Sequence, residues 1–167
     1  EEVHDEVLTP PGRIVPLSGA EAASIHRRWM EEGRDYGPEV HSRLEKSLMV
    51  TLDEYIAAQE WRSGLRHRTA LAFSRLDLLA TPACGATRKV IGEPMIATTD
   101  GEHFYRTVLS VFSALVNSMG CPAVVGPLPS DQVPPPALQL VAPWWQEHRL
   151  LEVAATLEQA GIFTRPA

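Results

Sequence analysis

Apolar residues recur along much of the chain at the three- and four-residue spacing of amphipathic helices. Two capping boxes, Ser18–Glu21 and Thr51–Glu54, mark helix starts, because each places a hydroxyl and a carboxylate near free backbone amides. Ile25 and Trp29 fall on the apolar side of the first stretch, and Gly33 follows it. The pattern predicts helices over residues 18–32, from Pro38, from Thr51 to about Phe73, over 102–117 and over 146–160.

Short apolar runs alternate with these helical stretches. Leu76–Ala80 is apolar apart from Asp77, and such a run is typical of a parallel strand that is covered on both faces. Residues 122–126 and Ala137–Val141 are predicted as two further strands, joined by an extended bridge because three consecutive prolines cannot lie inside a central strand. Ile162 and Phe163 follow the last helix and are expected to return to the sheet. The alternation predicts an α/β layered fold.

In two segments the apolar residues follow neither the spacing of a helix nor that of a strand. Residues 1–14 are predicted as an extended lead-in to one domain over residues 15–167. Residues 82–100 contain two glycines and Pro94, and we predict a loop there. Neither segment therefore contributes a predicted helix or strand to the layers.

Composition narrows the class of protein. The 167 residues are 44% hydrophobic and 22% charged, which is ordinary for a globular domain. A net charge of −6 provides no broad positive field for nucleic acid or an anionic membrane surface. The sequence has no apolar run long enough to span a membrane, no signal peptide and only two cysteines, so we expect a cytoplasmic protein with reduced thiols. Because it begins with Glu1, we expect a fragment, a trimmed chain or a processed product.

Residues suited to chemistry are few. Cys84 follows the Leu76–Ala80 run, and a thiolate paired with His103 would be a nucleophile, but no oxyanion loop or orienting carboxylate can be assigned to it. We therefore favour an unreactive thiol. The histidines are scattered without ligand spacing, so neither a metal nor a cofactor is expected. Of Trp144 and Trp145, we expect one ring to pack beneath the last helix and the other to lie on the surface.

The stretch NSMGCPAVVGPL, residues 117–128, reads as framework. Gly120 allows a backbone turn, Pro122 fixes φ where a strand begins, and Asn117 can tolerate left-handed geometry at a helix end. Together with the later ALQLVAPWWQEHRLLEVAATLE, this stretch resembles the C-terminal region of amidase signature enzymes, serine hydrolases that cleave carboxamides. Upstream, YGPEVHSRLEKS, DEYIAAQEWRSGLR and LDLLATPA resemble other motifs of the family, in the same order. At Pro135–Leu138 the chain departs from the family, which usually has glycines there.

The resemblance implies part of a mixed amidase-signature-type sheet with covering helices. It also implies that a Ser-Ser-Lys triad and a Gly/Ser-rich oxyanion loop lie outside this chain, because neither Lys46 nor Lys89 accompanies such a loop. The chain would then be the C-terminal portion of an amidase, inactive alone, whose partners are the N-terminal catalytic part and a small-molecule amide. Self-association is expected if a sheet edge is left open. Residues expected to form the wall of the substrate pocket are Thr81, Pro82, Ala83, Cys84, Met119, Gly120 and Cys121.

Two alternatives stay open at this point. The chain could be a noncatalytic binding or assembly module that keeps the framework and pairs with a separate catalytic chain. It could also belong to the amidase-like component of a tRNA-dependent amidotransferase, a close relative within the resembled family. The acidic charge and the DEYIAAQEWRSGLR helix favour a small-molecule amidase over the tRNA-dependent enzyme.

Overall fold

The computed structural model describes residues 14–164, and the chain divides into two compact units, Glu1–His67 and Arg68–Ala167. The predicted lead-in over residues 1–14 lies outside the described residues except for Ile14, which begins the first helix. The helices of the first unit are α1 (Ile14–Glu31), α2 (Pro38–Leu48) and most of α3 (Leu52–Phe73), which continues into the second unit. The first unit is therefore entirely helical over the residues that the structure describes.

The capping box predicted at Ser18 is wrong. The helix α1 already begins at Ile14, and the Ser18 hydroxyl donates to the Ile14 carbonyl oxygen at 3.1 Å instead of capping a free amide. Pro16 is compatible with this earlier start because the first helical turn needs no donor from it. Ile25 is also 63% exposed, so the buried face of α1 is formed by Leu17, Gly19 and Ala23 instead.

The second capping box is confirmed. The Thr51 amide donates to a Glu54 carboxylate oxygen at 2.8 Å, and the Glu54 amide donates to the Thr51 hydroxyl at 3.2 Å. The hydrogen bonds that the Glu54 carboxylate accepts from the Thr51 amide and the Thr51 hydroxyl lower the pKa of Glu54. The predicted helices from Pro38 and from Thr51 are thus present, and Leu44 and Leu65 are buried on them.

The second unit contains a three-stranded antiparallel sheet in the order β1 (Leu79–Pro82), β5 (Ala137–Val141), β4 (Ala123–Pro127). The central strand β5 is the most deeply buried, because residues 139–141 are all covered. On one side Pro82 pairs with Leu138, and on the other Ala123 pairs with Val141. The two predicted later strands are confirmed.

The prediction for Leu76–Ala80 is wrong in position and direction. The strand β1 begins only at Leu79, runs antiparallel to β5 and alternates half-buried with exposed residues. It is an edge strand among the residues that the structure describes. Pro82 fits the last position of such a strand because an edge residue needs no donor toward solvent.

The predicted loop over residues 82–100 contains the first strand of a hairpin. The strands β2 (Met95–Thr98) and β3 (Gly101–Phe104) form an antiparallel pair around a two-residue turn. The helix α4 therefore runs over Tyr105–Met119, not from residue 102. Residue Asn117 lies within α4, and Gly120 is the left-handed residue that ends it, with φ of 72°.

The last helix, α5 (Glu147–Gln159), packs near β4 and contributes Leu150 to a core that also includes Leu140, Ala142 and Phe163. Ile162 and Phe163 do not form a strand of their own. They nevertheless return to the sheet, because the Thr164 amide donates to the Pro127 carbonyl oxygen at 2.9 Å. The end of the described chain is thereby fixed against β4.

Candidate functional site

The first predicted wall segment, Thr81–Cys84, lies at the carboxyl end of β1. The hydroxyl of Thr81 accepts a hydrogen bond of 2.9 Å from the side-chain amide nitrogen, Nε2, of Gln139. Gln139 is the residue opposite Thr81 on the buried strand β5. The side chain of Gln139 is only 4% exposed, so this bond satisfies a donor that water does not reach. The register of Thr81 is thus fixed by a side-chain contact as well as by backbone pairing.

The chain after β1 is held by backbone hydrogen bonds. The Ala83 amide donates to the Ala137 carbonyl oxygen at 3.0 Å, and the Gly85 amide donates to the Val108 carbonyl oxygen of α4 at the same distance. Cys84 lies between these two fixed points and is exposed. The backbone of this segment is therefore fixed at two points, with the exposed Cys84 between them.

The second predicted wall segment, Met119–Cys121, connects α4 to β4. The Met119 side chain is 1% exposed, and its carbonyl oxygen accepts a hydrogen bond of 3.2 Å from the indole nitrogen of Trp144. Cys121 is half-buried. Gly120 turns the chain in the left-handed region, which a residue with a side chain adopts only with strain. In this corner Met119 is buried, Cys121 is half-buried and Gly120 is exposed, and Trp144 is hydrogen-bonded to its first residue.

The structure does not bring the two segments to one end of the sheet. Pro82 lies opposite Leu138 at the start of β5, whereas Ala123, which follows the second segment, lies opposite Val141 at its end. The strands β1 and β4 also flank β5 on opposite sides. Along the strand this offset is about 10 Å. The two segments therefore do not form one continuous surface at a single end of the sheet.

The pairing of Cys84 with His103 is not supported. His103 lies on β3, and its Nε2 atom is 3.2 Å from the Asp100 carboxylate. No hydrogen bond joins it to Cys84 among residues 14–164. Within the same residues, no group of three or more histidines, cysteines or acidic residues is placed to hold a metal ion.

Two side chains outside the predicted wall segments, Gln139 and Trp144, hold those segments in place through hydrogen bonds. Gln139 stands alone among apolar residues in Ala137–Val141, and a buried amide needs a partner, which could have indicated the bond to Thr81. The expected exposure of one tryptophan is confirmed, because Trp145 is 84% exposed. Trp144 is half-buried, and its hydrogen bond to Met119 had no signal in the sequence.

The fold and these motifs define a mixed α/β framework of the amidase class. The family model described as Amidase matches residues 17–151, and the chain belongs to this family. It is 31% identical over 116 residues to a fatty acid amide hydrolase of Oryza sativa subsp. indica, an alignment that covers 69% of this chain and 19% of that protein. It is 29% identical over 146 residues to the A component of the glutamyl-tRNA(Gln) amidotransferase of Acinetobacter baumannii (strain AYE), with coverage of 84% and 28% respectively.

Solved amidase structures share the fold. The chain superposes on a crystal structure of an amidase with a TM-score of 0.82 at 23% identity, over 87% of this chain and 34% of the other. It superposes on 6-aminohexanoate cyclic dimer hydrolase with a TM-score of 0.70 at 25% identity, over 99% of this chain and 38% of the other. The predicted amidase-signature-type fold is thus confirmed. The chain spans about a fifth to under a third of the length of the curated relatives it matches.

Within the part of the chain that the structure describes, none of the helices combines the length and apolar character needed to cross a bilayer.

Proposed function

We propose that this chain is the C-terminal portion of an amidase signature hydrolase, and that it supplies framework and pocket wall while the Ser-Ser-Lys triad lies outside it. One observation carries the proposal. The family match extends over residues 17–151, yet the matched relatives are more than three times as long as the aligned part. Most of an amidase is therefore needed beyond these 167 residues.

The chemistry of the chain's own residues supports this division. Amide hydrolysis by a serine needs a base that takes the hydroxyl proton and donors that stabilise the oxyanion. The hydroxyl of Ser18, which precedes Gly19, donates a hydrogen bond to the Ile14 carbonyl oxygen inside α1. Lys89 donates to the Val90 carbonyl oxygen and lies 4.5 Å from the Tyr105 ring centroid. Neither arrangement resembles a serine activated by lysine.

The role that fits the two predicted wall segments is to shape the substrate pocket. Thr81–Cys84 is fixed by hydrogen bonds to β5 and α4, and the Met119–Cys121 corner, at the other end of β5, is hydrogen-bonded to Trp144. A rigid wall orients a substrate without taking part in proton transfer. The substrate we propose is a small linear carboxamide, supported by relatives named for the hydrolysis of a fatty acid amide and of 1-carboxybiuret.

As a second candidate function, the chain forms part of the amidase-like component of a tRNA-dependent amidotransferase. It is favoured by the match to the Acinetobacter baumannii protein, which covers 84% of this chain. The net charge of −6 argues against direct binding of tRNA by these residues. A noncatalytic assembly module is a further outcome that the test below distinguishes.

The test compares the 167-residue chain, its folding checked by circular dichroism, with the longer enzyme that contains it. Both are assayed for ammonia release from a fatty acid amide and a short aliphatic amide, and for glutamine-dependent amidation of Glu-tRNA. We expect hydrolysis of a simple amide by the longer enzyme and none above buffer by the chain alone. Hydrolysis by the chain alone contradicts the proposal, and activity only on Glu-tRNA selects the second candidate. A chain that forms an inactive complex with a separate catalytic protein selects the assembly module.

A further inference from the structure

The backbone of β1 has one side that faces away from its partner strand. The bond from the Ala83 amide to the Ala137 carbonyl oxygen makes these two residues a hydrogen-bonded pair in the antiparallel register. Hydrogen-bonded and non-bonded pairs alternate, so Thr81 faces β5 while the N–H and C=O of Ala80 point outward. Pro82 also faces outward and offers only its carbonyl oxygen. Among the described residues, no strand pairs with this side.

The sequence of β1 does not fit an edge. Residues Leu78, Leu79 and Ala80 form an apolar run without a charge, and Ala80 is exposed in the structure. Edge strands of natural proteins are protected by charges, prolines or covering segments, since a bare edge recruits other strands. The composition is instead that of an interior strand, for which both neighbours are needed. The local sequence and the edge position disagree.

The opposite edge of the sheet, formed by β4, is partly covered by the chain itself. On β4 the outward carbonyl oxygen of Pro127 accepts the Thr164 amide at 2.9 Å, so the chain itself covers that end. The ring of Phe163 lies directly against Gly126 of the same strand. Prolines stand both before β4 and at its end. β4 therefore has protective features at its edge, whereas β1 has only Pro82.

We propose that the outer edge of β1 is the place where the sheet of the complete amidase continues, by pairing with an extended segment from outside residues 1–167. This inference rests on the proposed function, and it names the surface that the rest of the enzyme uses. The superposition covers only about a third of a solved amidase at a TM-score of 0.82, so a larger body of the same fold is available to supply the strand. The segment must be apolar, and its pairing must end at Pro82, which has no N–H to donate.

The first test is amide hydrogen exchange on the longer enzyme, read at three matched amides. Ala80 and Ala123 are both exposed alanines that face outward from the three-stranded sheet, on β1 and β4 respectively, while Thr81 faces β5 and serves as the protected reference. We expect the Ala80 amide to exchange about 100-fold more slowly than that of Ala123, close to Thr81. Equal rapid exchange at Ala80 and Ala123, or slow exchange only at Ala123, overturns the proposal.

A second test uses the variants Ala80→Pro and Ala123→Pro in the longer enzyme. Each removes one outward N–H without removing a hydrogen bond to β5. We expect Ala80→Pro to lower the yield of folded, active enzyme at least about tenfold, and Ala123→Pro to change it less than about twofold. Equal effects of the two variants contradict the proposed strand pairing at the outer edge of β1. If the wild-type enzyme hydrolyses amides but its Ala80 amide exchanges rapidly, only this strand pairing is contradicted. Lack of amide hydrolysis by the longer enzyme contradicts the proposed function instead.

Discussion

The ring of Phe163 occupies the space that a side chain on Gly126 would fill. A Cβ atom built on Gly126 would overlap the carbons of this ring, and both residues are buried. Gly126 lies in β4 opposite Leu138, so the contact joins the segment after α5 to the sheet. The glycine in AVVGP is thus explained by close approach of an aromatic ring.

Substituting Gly126 with Ala should destabilise the protein by about 1–3 kcal/mol, because the added methyl group must displace a buried ring in a packed core. The measurement is the free energy of unfolding from urea denaturation. The matched control is Gly64→Ala, since a Cβ atom there meets nothing within 4 Å and the residue lies inside α3. That variant should be stabilised by about 0.5–1 kcal/mol. A neutral Gly126→Ala would show that Phe163 does not pack on this strand.

The buried pair of Gln139 and Thr81 should show energetic coupling. Gln139→Leu and Thr81→Val each leave one polar group without its partner, at a cost of about 1–3 kcal/mol. The double variant removes both groups, so it should cost less than the sum by about 1 kcal/mol. Urea denaturation of all four proteins measures the cycle. Strict additivity would mean that the two side chains do not interact in solution.

Trp144 should stabilise the Met119 corner through its indole N–H. Trp144→Phe removes this donor from the Met119 carbonyl oxygen and should cost about 1 kcal/mol or more, since packing is also lost. Trp145→Phe is the control, because its side chain is 84% exposed and should change stability by less than about 0.5 kcal/mol. Thermal denaturation followed by circular dichroism compares the two. Similar melting temperatures would argue against the hydrogen bond.

The capping box at α3 should make a small contribution to stability that depends on pH. Hydrogen bonds from Thr51 hold the pKa of Glu54 below its usual value in the folded protein, so the contribution is present above the unfolded pKa. It is lost as the pH falls through the lower, folded pKa. The measurement is the pH dependence of unfolding between about pH 6 and 2, in wild type and in Glu54→Gln. An unchanged profile in the variant would contradict the cap.

The sequence pattern predicted which segments are helical more accurately than it predicted the residues at which the helices begin. Thr51 caps a helix as its motif indicates, whereas Ser18 has the same kind of motif but lies one turn inside α1. The difference is that apolar Ile14 and Leu17 extend the first helix backwards, a packing effect that a capping motif does not report. The hairpin at residues 95–104 was missed, although Asp100-Gly101 is a recognised turn signal.

The candidate site was predictable only in part. The motif positions of Thr81 and Gly120 follow from the sequence, but the direction of β1 does not, because an apolar run suits parallel and antiparallel strands alike. The placement of the two wall segments at opposite ends of β5 depends on long-range pairing. Such pairing is set by tertiary contacts that no local pattern contains.

We propose that the reactive serine of the longer enzyme lies outside residues 1–167. A fluorophosphonate probe modifies an activated serine covalently, so the labelled enzyme can be digested and the modified peptide identified by mass spectrometry. We predict one modified serine, in a peptide that does not map to residues 1–167, together with complete loss of amide hydrolysis. A modified serine within residues 1–167, in an enzyme inactivated by the probe, would contradict the account.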